Sequence, residues 1–100
     1  MSKDKALFTL TGITEADEYV VGGIWKVYET HGLPLDIIFD ACIRKNCIPD
    51  WVLLYKQMRI SGMKHDRIFS KLEEAILDSY NQRYCDVVLS TLDKIFGPIK

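Results

Sequence analysis

The chain has 100 residues, the size of one domain, and folding a chain of this length hides about 65% of its extended surface, enough for one small core. Hydrophobic residues make up 48% and charged residues 27%, a balance that excludes an intrinsically disordered chain. The 13 Lys plus Arg against 14 Asp plus Glu give a net charge of -1, which excludes a strongly basic whole-chain nucleic-acid binder but leaves room for a local basic face.

The first residues, Met1-Ser2-Lys3-Asp4-Lys5, are charged, and the apolar stretch after them is short and interrupted by hydroxyls, a poor signal peptide. Ala6, Phe8 and Leu10 then alternate with Leu7, Thr9 and Thr11. With no partner strand elsewhere in the sequence, residues 1–12 are expected to form an extended arm, laid over the bundle or pairing in a dimer or complex. Residues 13–100 are expected to form a single helical domain.

A first helix is expected from Glu15 to Thr30. Thr14 is its N-cap, Glu15, Asp17 and Glu18 complement the positive end of its dipole, and Ala16, Tyr19, Val20, Ile24, Val27 and Tyr28 form one stripe. Gly22-Gly23 in the middle costs about 1 kcal/mol per glycine, so a kink or break there is the main alternative. Gly32 ends this helix, and Pro34 opens a second that runs to Lys45, with Leu35, Ile38, Phe39, Cys42 and Ile43 inward. Pro49 repeats the device for a third helix, to Ser61, with Trp51, Leu54, Tyr55 and Met58 on one face. A fourth starts between Lys64 and Arg67 and carries Ile68, Phe69, Leu72, Ala75, Ile76 and Tyr80 at a 3.6-residue period. A fifth spans Gln82 to Phe96, continuous with the fourth or separated from it near Asn81. The expected fold class is therefore all-α, a compact bundle of about five short helices with an extended N-terminal arm.

Cys42, Cys47 and Cys85 are an odd set, which fits reduced thiols in a cytoplasmic, reducing setting better than a disulfide framework. No apolar run approaches the roughly 20 residues of a membrane span, so no membrane partner is expected. Cys42-x4-Cys47 lacks zinc-ligand spacing and no second ligand pair follows, so no metal and no cofactor is expected. Neither Cys42 nor Cys85, the thiols that could meet His31 or His65 across the fold, has an adjacent catalytic motif. Asp36 and Asp40 share a helix face, but Asp36 suits the helix start and Asp40 can balance Arg44. No catalytic residue is assigned, and an enzyme is not expected.

Charge is unevenly spread. Residues 1–50 hold five Lys/Arg and eight Asp/Glu, net -3, whereas residues 51–100 hold eight and six, net +2. Lys56, Arg59, Lys64, Arg67 and Lys71 stand against Asp66 alone, a local +4, on two helices joined by a short turn. Trp25 is offset from the main stripe of the first helix, near Val21, and Val21, Trp25 and Tyr28, if exposed, form an apolar strip. These eight residues are the candidate partner-binding set. The function expected from them is that of a small adaptor or regulatory, inhibitory protein that docks non-covalently on another protein or on a second copy of itself as a homodimer. The alternative is a nucleic-acid-binding helical domain that uses the Lys56–Lys71 face.

Overall fold

The β-branched and aromatic residues that flank Thr14 form strands. In the computed structural model, which describes residues 8–97, Thr9–Ile13 is β1 and Tyr19–Gly22 is β2. They pair antiparallel, with Leu10 opposite Val21, Ile13 opposite Tyr19, and a bulge between Leu10 and Gly12. Thr14 holds the turn between them. Its hydroxyl accepts from the backbone N–H of Ala16 at 3.2 Å and of Glu18 at 3.1 Å, and its own N–H donates to the Glu18 carbonyl at 2.8 Å. Asp17 takes a left-handed conformation, φ 63°, which a short polar side chain tolerates.

Cys47–Pro49 forms β3, parallel to β2, and the sheet order is β1-β2-β3. The connection from β2 to β3 runs through α1, Ile24–His31, and α2, Leu35–Arg44, because parallel neighbours need a crossover. Among the described residues no strand pairs with the outer edge of β1.

The molecule is mostly helical, but the three-stranded mixed sheet overturns the all-α expectation, and β1 pairs within the chain where an arm laid over the bundle or pairing only in a dimer or complex was expected. Residues 1–7 of that arm lie outside the described residues. The physical reason is local. Thr and Asp satisfy backbone N–H groups equally well at a helix start and in a tight turn, and here they close a hairpin. Tyr19-Val20-Val21 has the side chains of a pleated, half-buried surface. Gly23 then breaks the segment at φ 79°, so the helix begins only at Ile24.

The remaining helices lie close to their expected spans. Pro34 stands at the N-cap of α2, and Asn46, φ 57°, turns the chain into β3. In α3, Trp51–Ile60, the Asp50 carboxylate caps the start by accepting from Leu53 N–H at 3.0 Å. α4 spans His65–Ser79 and α5 spans Gln82–Phe96, separated at Tyr80-Asn81, where the Asn81 side chain accepts from Tyr84 N–H at 2.8 Å.

The core lies between α2, α3, α4 and α5. Phe39, Leu54, Met58, Ile68, Leu72, Ile76 and Leu92 are fully buried there, with the thiols of Cys42 and Cys85. Gly22 is where the sheet meets α3: a Cβ on it would stand 2.5 Å from Leu53 Cδ2.

Candidate functional site

α3 presents two kinds of side chain to solvent at its C-terminal end. Lys56, Arg59 and Ile60 follow at three- and four-residue steps, so they share one face. Beside them Tyr55 stacks on Phe96 from the end of α5, with ring centroids 4.0 Å apart and planes inclined by 20°. Tyr55, Lys56, Arg59, Ile60 and Phe96 together line a cavity of about 400 Å³. Its position is fixed from below, because the Tyr55 hydroxyl hydrogen-bonds His65 Nδ1 at 2.7 Å in the core.

Ile60 is the anomaly of this surface. It is 85% exposed, more than any other large apolar side chain described. Covering an aliphatic side chain of this size contributes about 1.5–3 kcal/mol to whatever covers it. Two cations flank it. Lys56 and Arg59 are exposed and make no ion pair among the described residues, where the pair formed is Arg44 to Asp40 at 3.0 Å. An apolar ridge between two uncompensated cations is complementary to an apolar side chain carried beside carboxylates.

The five basic residues of the sequence-derived set divide into three groups. Lys56 and Arg59 line the α3–α5 cavity. Lys64, at the N-cap of α4, and Arg67, in its first turn, are exposed and without an ion pair among the described residues. Lys71 faces another way: its ammonium lies over the Tyr28 ring, 4.9 Å from the centroid, and it lines a cavity of about 440 Å³ whose other lining residues include Glu29, Asp36, Glu74 and Asp78. Lys71 thus meets an acidic surface and an aromatic face.

The aromatic strip does not form a free surface. Val21 is 6% exposed and Trp25 7%, and Tyr28 is half-buried with its ring stacked on Trp25 at 4.7 Å. The break at Gly23 is the cause. Val21 belongs to a strand, Trp25 to the first turn of α1, and both turn into the core. Sequence reasoning missed Ile60 and Phe96 as the centre of the exposed patch. A signal for Ile60 was present, an isoleucine beside Arg59 and one turn from Lys56, but Phe96 reaches the patch only through the packing of α5 on α3.

The other chemistry-bearing groups are held quiet. Burial pushes the Cys42 thiol up to about 12, with Cys47 nearby adding to the rise, and burial also raises Cys85. Thiols held in the protonated form are poor nucleophiles. Burial raises Tyr80 and Tyr84 as well, although in Tyr84 the hydrogen bond from Trp51 Nε1, 3.1 Å, opposes the rise. Among the described residues no group of three or more His, Cys, Asp or Glu is arranged to hold a metal ion, and no helix is long and apolar enough to cross a membrane. Comparison with protein-family models, with curated proteins and with solved structures finds no match.

Proposed function

We propose that this chain is a small protein-docking module, an adaptor or regulatory protein, that captures an acidic segment of another protein on the α3–α5 face. The observation that carries this reading is Ile60, 85% exposed, on the wall of the Tyr55–Phe96 cavity and flanked by Lys56 and Arg59, which make no ion pair among the described residues. An apolar side chain of the partner enters the cavity, and its neighbouring carboxylates meet the two cations. Burial supplies the affinity, and charge sets orientation and speed of encounter. Nucleic acid fits this face less well, because its centre is aliphatic and the backbone of a nucleic acid calls for a continuous cationic track.

A library of short displayed peptides, selected against the full chain, tests the reading. The expected winners join Asp or Glu to a Leu, Ile, Phe or Trp, and Ile60→Asp or Arg59→Glu weakens them by about tenfold to a hundredfold. Winners without acidic residues, or winners indifferent to both substitutions, would sink the reading. In parallel, anisotropy of labelled duplex DNA, single-stranded DNA and single-stranded RNA is measured at low and moderate salt. Micromolar binding with a steep salt slope would move the function to nucleic acid.

A further inference from the structure

Ile60 lines two cavities. On the side of α5 it borders the space of about 400 Å³ shared with Tyr55, Lys56, Arg59 and Phe96. On the side of α1 it borders a second, of about 360 Å³, shared with Trp25, Lys26, Glu29, Gln57 and Ser61. Helix geometry explains the division. Lys56 and Gln57 are neighbours about 100° apart on α3, and Ile60 stands one turn beyond both of them. The two flanks differ in charge. Lys56 and Arg59 line the first with no acidic residue among its lining residues, whereas Lys26 and Glu29 balance one another on the second.

We propose that the docked segment carries two apolar side chains and straddles Ile60, with one anchor in each cavity and its carboxylates beside the anchor on the α5 side alone. This rests on the docking reading above and specifies its partner. A segment that enters one cavity covers one flank of an isoleucine that is 85% exposed and leaves the other in water. A segment that crosses it covers both, and the apolar area removed from water grows accordingly. Each cavity has an aromatic residue already held in place: Tyr55 stacks on Phe96 at 4.0 Å, and Trp25 stacks on Tyr28 at 4.7 Å with planes inclined by 14°. Little side-chain freedom is then lost on binding, which suits both to receive an anchor. Two cations on one flank and a balanced pair on the other give the segment a direction. A helix with its side chains is about 10 Å across, so anchors on its two flanks stand about two to four positions apart in an extended chain.

The probes are short synthetic peptides with two leucines separated by about one to three residues, Asp and Glu beside the first leucine, and serine and glycine elsewhere. They are titrated into the full chain labelled with nitrogen-15. The expected result is a spacing that binds about tenfold tighter than the same peptide with either leucine replaced by alanine. Backbone signals shift on both flanks, at Arg59 and Phe96 and at Lys26 and Gln57. Replacing the leucine beside the acids removes the shift at Phe96, and replacing the other removes the shift at Lys26. The comparison is made on the peptide, so no loss of folding imitates it. Three outcomes overturn the two-anchor inference and leave the docking surface standing: one-leucine peptides that bind as tightly, shifts confined to the α5 flank, and two-leucine peptides that fail where displayed acidic peptides bind. A shift at Lys26 that follows the leucine beside the acids also overturns it. If no acidic peptide binds, synthetic or displayed, the docking reading falls with it. A chain that is dimeric alone and monomeric as Ile60→Asp would make a second copy the occupant, and would overturn the inference too.

Discussion

The three cysteines show how one residue type takes different properties from its surroundings. Cys42 and Cys85 are buried, and burial raises both thiols, so each is shielded from reagents and short of thiolate. Cys47 lies on β3 and is half-buried, with its thiol donating to the Lys45 carbonyl at 3.4 Å. Reactivity needs both access and thiolate. In the folded chain, Cys47 should therefore react with a chromogenic disulfide reagent well before the other two. All three should react together once urea unfolds the protein. Mass spectrometry of the trapped adducts decides it, and early labelling of Cys42 would show that α2 opens far more readily than its packing implies. His65 makes the same point with a polar group. It is buried yet satisfied by Tyr55, and it serves as the foundation of the Tyr55–Phe96 stack.

At the scale of elements, the glycines between β2 and α1 separate the observed fold from the helix that the sequence pattern suggested. Within a continuous helix from residue 15 to 30, replacing Gly22 or Gly23 by alanine would stabilise the protein by about 1 kcal/mol each. In the strand-and-turn geometry the sign reverses. Gly23 is at φ 79°, where an added Cβ costs about 1–2 kcal/mol. A Cβ on Gly22 would meet Leu53 Cδ2 at 2.5 Å and Thr11 Cγ2 at 3.1 Å, and moving both costs about 1–3 kcal/mol. Urea denaturation of Gly22→Ala and Gly23→Ala reads the sign directly, and two stabilised variants would restore the long helix.

The helices α2 to α5 were legible because their caps and breakers lie within a few residues of the ends they make: Pro34, Asp50 and Asn81 at the starts, Gly62 and Gly97 beyond the stops. The strands were not legible, for a different reason. β3 has three residues and β2 has four, too few for a period to show. Their partners lie across the hairpin turn or across two helices, where spacing along the chain carries no signal.

For the whole molecule, a net charge of -1 conceals an arrangement. Lys56 and Arg59 line one cavity and make no ion pair among the described residues, while Glu29, Asp36, Glu74 and Asp78 line another together with Lys71. The basic residues of the candidate site could be read from the sequence, but the parting of Lys71 from Lys56 and Arg59 depends on how α3 and α4 pack.

Global stability carries one further consequence of the way the core is built. Cys42 is 0% exposed, and its thiol is raised from 9.0 to about 12. Cys85, Tyr80 and Tyr84 are raised too, with burial as the first cause in each. Below pH 9 these groups are protonated in both the folded and the unfolded chain, so they lend stability no slope there. Above it the unfolded chain releases the Cys42 proton while the folded chain holds it. The unfolded state then binds fewer protons, and stability falls as pH rises, by about 1.4 kcal/mol per pH unit for this thiol, until its folded value is passed. At about pH 10.5 the loss from Cys42 alone comes to about 2 kcal/mol, with the other three adding to it. Urea midpoints measured between about pH 8 and about pH 10.5 should therefore decline. The decline should be shallower in Cys42→Val, whatever that substitution does to the starting stability. An equal slope in the variant would mean that the thiol is not held protonated by the fold, and would move the cause to Cys85 and the two tyrosines.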